Sequence, residues 1–238
     1  MLFRSAHLIT DTEAIRQELI RTFGWPAERI TAVSLGVADV YQPRSCEETA
    51  TVLSRYGLEH GRYSLCVATI EPRKNIDLLL EGYRNLPPTV RRRFPLVLIG
   101  NEGWQSEQLH DRIKACGGEG WLHYLKFVPE ADLPVLYSGA RLFVYPSQYE
   151  GFGLPVLEAM ASGIPVISSA DPALAEVGGD VTWQLCPEDR VTFTQALEQG
   201  LEDEGWRNGA ETKGLVRAKK FTWEACVNET VQVYQKLL

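Results

Sequence analysis

The sequence predicts an α/β protein that is built on a doubly wound parallel sheet. Short apolar segments alternate with segments of helical periodicity through much of the chain. Most of these apolar segments show no strict alternation of apolar and polar residues, which is typical of parallel strands that are covered on both faces. A repeated order of strand, helix and strand indicates crossover connections that bring the strands into one sheet.

Short apolar runs bounded by turns mark the strands of this sheet. The predicted strands are residues 63–69, 95–100, 121–127, 141–147 and 164–169, with an edge strand near 181–186. Helices are predicted at residues 75–85, 104–115, 131–139 and 154–162. Beyond residue 189 the chain is expected to be mostly helical, with a last helix that begins at residues 221–223.

The N-terminal part of the chain follows a different pattern. Apolar side chains recur every four residues across 11–23, behind Asp11 or Thr12 as the capping residue, and predict a helix. Residues 30–34 are predicted to form a strand and residues 35–39 a linker. One helix and one strand bury too little apolar surface to be stable alone.

The main domain is therefore assigned to residues 39–238, which include the last helix. Near its start, Ser45 and Glu48 form a capping box for a helix that is predicted to run to Tyr56. Residues 1–38 are expected to lean on this domain, on a partner or on a domain that the chain lacks.

Composition excludes several classes of protein. With 24 Lys and Arg against 31 Asp and Glu, the net charge is −7, which argues against non-specific binding of nucleic acid. No apolar run is long enough to span a membrane, and residues 1–7 contain no apolar signal core. The 5 cysteines form no CxxC pair and are predicted to be buried thiols, so we expect a cytoplasmic protein.

The loop at residues 69–75 follows the first predicted strand of the main domain and carries two adjacent cations. In an open parallel sheet, ligands bind outside the carboxyl ends of the strands. Arg73 offers a planar fork of donors and Lys74 a movable point charge, a combination suited to a diphosphate. Asn75 is expected to cap the helix that follows. The alternative interpretation is a pair of solvated surface cations.

The loop at residues 147–153 follows another predicted strand and leads directly into a helix. Gly151 and Gly153 permit close approach of the backbone to a ligand. The backbone N–H groups of Phe152, Gly153 and Leu154 would then face an anion at the start of the helix. A short glycine pattern of this kind is also common in simple turns.

Two carboxylates, Glu150 and Glu158, flank this glycine loop and could both address one bound molecule as acceptors for sugar hydroxyl groups. Residues 146–167 closely resemble the signature of the family 4 (group 1) retaining glycosyltransferases with the GT-B fold, in which two glutamates form an E-x7-E motif. The loop at 71–75 resembles the diphosphate-binding loop of that family. Two further segments match in the same order, residues 98–103 and 127–133.

The resemblance implies one Rossmann-like half of a two-domain enzyme. Residues 39–238 are similar to the C-terminal domain that binds the nucleotide-sugar donor, including a final crossover helix. Residues 1–38 resemble the end of the N-terminal acceptor domain, most of which is absent. None of the 4 histidines is assigned to the donor sugar. We therefore expect the isolated chain to be inactive, and residues 1–38 and the last helix to pack together or against a second copy.

The resemblance also assigns roles to individual residues. Arg73 and Lys74 would bind the donor diphosphate and stabilise its growing negative charge. Glu150 would accept hydrogen bonds from the donor sugar and Glu158 from the ribose, with the backbone amides of residues 152–154 supporting the phosphates. The loops that would flank the base contain Gly100, Asn101, Val128 and Pro129. No metal and no separate cofactor are expected.

The expected reaction is the transfer of a hexosyl group with retention, by same-face attack, to a saccharide or lipid-linked acceptor. Glu150 as a covalent nucleophile is the less favoured alternative. The form of the phosphate loop favours GDP-mannose, with UDP-sugars as the alternative donors. A non-catalytic module that binds nucleotide sugars, or one subunit of a split transferase, stays open, whereas a nucleotide-sugar epimerase and a Rossmann dehydrogenase are disfavoured.

Overall fold

The computed structural model describes residues 5–186 and 188–238, so residues 1–4 of the segment inspected for a signal core lie outside it. Two groups of strands are present. They are β1 (Leu8–Thr10), β2 (Ile30–Ala32), β3 (Ser64–Val67), β4 (Leu96–Ile99), β5 (Leu122–Leu125), β6 (Leu142–Tyr145), β7 (Val166–Ser169) and β8 (Trp183–Leu185).

Helices connect and cover these strands. They are α1 (Glu13–Phe23), α2 (Cys46–Arg55), α3 (Ile76–Asn85), α4 (Pro88–Arg93), α5 (Glu107–Gly118), α6 (Leu133–Ser138), α7 (Leu154–Ala161), α8 (Pro172–Gly178), α9 (Arg190–Glu202), α10 (Glu204–Ala218) and α11 (Trp223–Gln235). Single 3-10 turns occur at Ala27–Arg29 and Pro72–Lys74.

The predicted doubly wound sheet is confirmed. Six parallel strands lie in the order β5-β4-β3-β6-β7-β8, with β8 at an edge as expected. The chain builds outward from β3 through β4 and β5, then returns to the other side of β3 at β6. The strand order therefore reverses between β3 and β6, which is the point where open parallel sheets bind ligands.

The predicted helix starts are confirmed in detail at two positions and corrected at a third. Thr12, rather than Asp11, caps α1, and the Ser45–Glu48 capping box opens α2. Asn75 precedes α3 in a left-handed conformation with φ of 52°, and its side chain makes no capping hydrogen bond. This residue joins the end of a 3-10 turn directly to the start of α3.

The N-terminal segment packs against the main domain. Strands β1 and β2 pair in a separate two-stranded parallel sheet, and α1 packs against α8. The carboxylate of Glu176 accepts hydrogen bonds from the N–H groups of Glu13 and Ala14 at 2.8 and 2.9 Å, so α8 provides an acceptor for the start of α1. The described part of residues 1–38 therefore packs against the domain that follows it.

The start of the last helix contacts this segment. The N–H of Val37 donates to the carbonyl of Phe221, and Gly36 lies against the backbone of Thr222 and Trp223. Along α11 only Val233 is buried. The packing of the last helix against a second copy of the chain stays a prediction.

The cysteines only partly follow the expectation of buried thiols. All of them are free, but only Cys66 and Cys116 are buried, whereas Cys46 and Cys186 are exposed because they lie at a helix start and after an edge strand. Burial raises the pKa of the Cys66 thiol to about 12. No helix in the described part of the chain combines the length and the apolar character needed to cross a bilayer.

Candidate functional site: a cleft at the carboxyl ends of the sheet

A cavity of about 580 Å³ lies where the strand order reverses, beyond the carboxyl ends of β3 and β6. Its walls come from the loops after β3, β4 and β6, from the start of α7 and from the N-terminal segment. The residues predicted from the sequence that line it are Lys74, Gly100, Asn101, Glu150, Gly151, Phe152, Gly153 and Leu154. A larger cavity of about 810 Å³ lies between the linker and the start of α11, and none of the predicted site residues lines it.

Lys74 and Glu150 form a buried ion pair at the base of this cleft. The Lys74 ammonium lies 2.5 Å from Oε1 of Glu150 and donates to the hydroxyl of Tyr145 at 2.8 Å. The hydroxyls of Ser147 and Tyr145 donate to the same carboxylate oxygen at 2.6 and 3.0 Å. Since only 8% of Lys74 is exposed, it is not a solvated surface cation.

The ionisation of Glu150 follows from these contacts. Burial opposes the charged carboxylate, but hydrogen bonds from Lys74 and Ser147 and the positive charges of Lys74 and Arg73 outweigh it, so the pKa of Glu150 is lowered. Glu150 is therefore a carboxylate at neutral pH. An ammonium group has three donors, and two of those of Lys74 are engaged, which leaves one for a ligand.

Arg73 supports the pair from outside the cleft. Its guanidinium donates to the carbonyl of Tyr149 at 2.6 Å and to Glu71 at 2.8 Å, and lies 3.2 Å from Glu150. The 3-10 turn at Pro72–Lys74 directs the adjacent cations differently, with Lys74 inward and Arg73 along the rim, where 37% of its side chain is exposed. The two predicted cations therefore meet at one carboxylate but do not both line the cavity.

The glycine loop presents its backbone to the cleft. Gly153 has φ of 102°, and a Cβ there would lie 2.3 Å from the Leu174 side chain, so only glycine fits this position without strain. The backbone N–H groups of residues 151–154 donate to no acceptor among the described residues. These amides stand at the start of α7, where the helix dipole favours an anion.

Besides Arg73, three predicted residues do not line this cavity, namely Glu158, Val128 and Pro129. Burial raises the pKa of the Glu158 carboxyl, and the nearby hydroxyls of Tyr137 and Tyr41 oppose the rise. Glu158 thus interacts with these two tyrosines. Val128 packs into the apolar core, and Pro129 is exposed outside the cleft.

The cleft also contains residues that the sequence analysis did not assign. Tyr145 and Ser147 lie at the end of a predicted strand next to Glu150, so their position in the sequence could have identified them. Asp11 lines the cavity from the N-terminal segment. No local pattern indicates this, because Asp11 reaches the cleft only through the tertiary packing of α1.

Comparison with known proteins defines the class. The sequence model of the glycosyl transferases group 1 matches residues 55–214, and the chain belongs to this family.

Two individual relatives in this family have names that state the sugar that they transfer. The chain is 44% identical over 230 residues to the O-antigen chain mannosyltransferase B of Escherichia coli, covering 97% of this chain and 60% of the relative. It is 30% identical over 241 residues to the serotype-specific mannosyltransferase WbdA of Escherichia coli, covering 99% of this chain and 29% of the relative. The chain thus spans at most about three fifths of the length of these relatives.

A solved structure supports the fold. The Anabaena protein HepE in complex with UDP-glucose superposes with a TM-score of 0.86 at 17% identity, covering 98% of this chain and 64% of that one. The likeness confirms the predicted Rossmann-like half of a GT-B fold.

Proposed function

We propose that this chain is the donor-binding half of a retaining hexosyltransferase that transfers a mannosyl group from a nucleotide-diphosphate sugar to a saccharide or lipid-linked acceptor, releasing the nucleotide diphosphate. The observation that carries the proposal is the buried Lys74–Glu150 pair beside the unpaired amides that precede α7. Both features lie in one cavity at the switch point of the sheet.

The cleft is suited to a diphosphate because most of its hydrogen-bond donors belong to the backbone. The helix terminus and the amides of residues 151–154 supply donors that need no counter-ion, and Lys74 adds a charged donor. The same groups would stabilise the negative charge that grows on the leaving diphosphate when the glycosidic bond breaks. We propose that transfer uses these groups and no resident metal.

Same-face attack is favoured over a covalent intermediate on Glu150. Oε1 of Glu150 already accepts from Lys74, Tyr145 and Ser147, so its electron density is engaged and its nucleophilicity is reduced. The other oxygen, Oε2, accepts no hydrogen bond from the described residues and is the atom we assign to a hydroxyl of the donor sugar. Glu158 is proposed to bind the ribose, and the loops containing Gly100, Asn101, Val128 and Pro129 to flank the base.

Mannose is the proposed sugar because the relatives named above are mannosyltransferases. The O-antigen relative supports a polysaccharide or lipid-linked acceptor. UDP-sugars are the second candidate donors, since HepE holds UDP-glucose on the same fold. We propose a cytoplasmic protein, consistent with free thiols at all the cysteines, with at most peripheral contact with a membrane.

Calorimetric titration with GDP, UDP, GDP-mannose, UDP-glucose and UDP-N-acetylglucosamine tests the proposal. We expect binding of a diphosphate with preference for GDP-mannose, and no transfer until an acceptor domain is supplied. Lys74→Met should weaken binding by about tenfold or more, as expected for a charge-assisted hydrogen bond. Lys114→Met, an exposed lysine outside the cleft, is the control. Absence of binding by every nucleotide would overturn the site assignment, and binding without transfer in the completed protein would favour a non-catalytic module.

A further inference from the structure

Asp11 is a carboxylate in the cleft without a polar partner among the described residues. It lines the same cavity as Lys74, Glu150 and Gly153, although it belongs to the N-terminal segment. Its carboxylate makes no hydrogen bond and no ion pair with any residue that the structure describes. Asp11 stays exposed to solvent in the cleft, and desolvation by its surroundings raises the pKa of its carboxyl without a protein donor to oppose the rise.

The position of Asp11 is fixed by its neighbours in the chain. The hydroxyl of the next residue, Thr12, is fully buried and donates to the carbonyl of Gly151 at 2.9 Å. Thr10 donates to the carbonyl of Thr12 at 3.0 Å, and Glu176 accepts from the two N–H groups that follow. Asp11 is thereby held against the glycine loop and not on a free terminus.

An unpaired carboxylate is out of place in a cleft for a diphosphate alone. Lys74 and Arg73 are already balanced by Glu150 and Glu71, so Asp11 adds an uncompensated negative charge. Such a charge repels phosphate, and its effect is favourable only where a ligand brings hydroxyl donors to it. A nucleotide-diphosphate sugar carries such donors on its ribose and on its hexose. Asp11 shares the cavity with Glu150, which is proposed to bind the sugar, and not with Glu158, which is proposed to bind the ribose, so the hexose is the part that we assign to Asp11.

We propose that Asp11 contacts the donor sugar, accepting a hydrogen bond from a hexosyl hydroxyl and so favouring the intact nucleotide sugar over the nucleotide diphosphate. This inference rests on the proposed function, because it places the sugar in the cleft beside Gly153. It assigns to the N-terminal segment a direct share in recognition of the donor.

The test is a pair of affinities in the full 238-residue chain, measured by calorimetry for GDP and GDP-mannose and, in parallel, for UDP and UDP-glucose. Asp11→Asn removes the negative charge. This variant should bind GDP-mannose at least about tenfold more weakly than the unmodified chain does. It should bind GDP with equal or higher affinity, because the repulsion between Asp11 and the diphosphate is lost. Asp11→Glu, which restores the charge, should recover part of the preference. Glu28→Gln, an exposed carboxylate of the same segment, should change neither affinity.

The two proposals fail in different ways. If the unmodified chain binds none of the four nucleotides, the proposed function falls and the role of Asp11 falls with it. If the unmodified chain binds them but Asp11→Asn changes the affinities for the diphosphate and the nucleotide sugar equally, only the role of Asp11 is overturned. Unfolding curves of the variants establish that they are folded, which is expected because the Asp11 side chain makes no hydrogen bond in the described structure.

Discussion

The hydroxyl of Thr12 donates to the carbonyl of Gly151 at 2.9 Å, joining positions 139 residues apart in the chain. The same hydroxyl oxygen accepts from the N–H of Ile15 and so caps α1. One buried side chain therefore fixes both the start of a helix and the glycine loop of the proposed diphosphate site. The Thr12 hydroxyl oxygen thus links the packing of the N-terminal segment to the geometry of the cleft.

Replacing Thr12 with Val should cost more stability than removal of an ordinary helix cap. Loss of the cap costs about 1 kcal/mol, and loss of the part-buried hydrogen bond to the carbonyl of Gly151 adds about 1 kcal/mol more. Thr222→Val is the matched control, because the Thr222 side chain caps α11 and makes no other hydrogen bond with the residues that the structure describes. Urea unfolding measures both losses, and equal losses would show that the bond to Gly151 contributes nothing.

The buried pair of Lys74 and Glu150 should be strongly coupled in stability. Lys74→Met leaves a buried carboxylate without its partner, which costs about 3–5 kcal/mol, whereas Lys74→Met combined with Glu150→Gln should lose less than the sum of the single changes. The exposed pair of Arg112 and Asp77 is the control and should give a coupling of about 0–1 kcal/mol. Denaturant unfolding of the two double-mutant cycles provides the comparison, and similar coupling in both would contradict the buried pairing.

Gly151 and Gly153 should respond differently to substitution by Ala. A methyl group at Gly151 meets no protein atom within 4 Å, so Gly151→Ala should fold normally but weaken GDP binding by about tenfold, because the methyl occupies space beside the amides. Gly153→Ala should lose about 1–3 kcal/mol of stability from its strained backbone and its contact with Leu174. Thermal unfolding and calorimetry separate the effects. Unchanged GDP affinity in Gly151→Ala would mean that the loop does not approach the ligand.

Local sequence patterns predicted the sheet well, because parallel strands buried on both faces leave continuous apolar runs such as residues 96–99. They also located Lys74, Glu150 and the glycine loop, since all follow strands that end at one edge of the sheet. Three short elements, β1, α4 and α8, were missed. They span 3, 6 and 7 residues, which is too short for a recognisable periodicity of apolar side chains.

Long-range packing accounts for what local patterns missed in the site. Asp11 enters the cleft because α1 packs on α8, and neither its own position nor its neighbours in sequence indicate that contact. Glu158 was expected to address the same molecule as Glu150. Its spacing along α7 is consistent with this, and that role stays a prediction. The interactions of its carboxyl with Tyr41 and Tyr137 could not be predicted, because they depend on where two other segments of the chain lie.

Glu158 and Glu150 should affect the pH dependence of stability with opposite signs. The folded pKa of Glu158 is raised above the ordinary value of 4.5, mainly by burial, so the carboxylate destabilises the fold progressively as pH rises from 4.5 through the folded pKa. Glu158→Gln should therefore be more stable than the unmodified chain at neutral pH, with the gain disappearing below about pH 4.5, where the carboxyl is protonated in both states.

Glu150 has a lowered pKa, so its contribution to the free energy of unfolding is present above pH 4.5 and is lost as the pH falls through its folded pKa. Glu150→Gln should accordingly be less stable at neutral pH and approach the unmodified chain in acid. Urea unfolding between acid and neutral pH measures both trends, and a loss of stability in Glu158→Gln at neutral pH would contradict the inferred cost of burying this carboxylate.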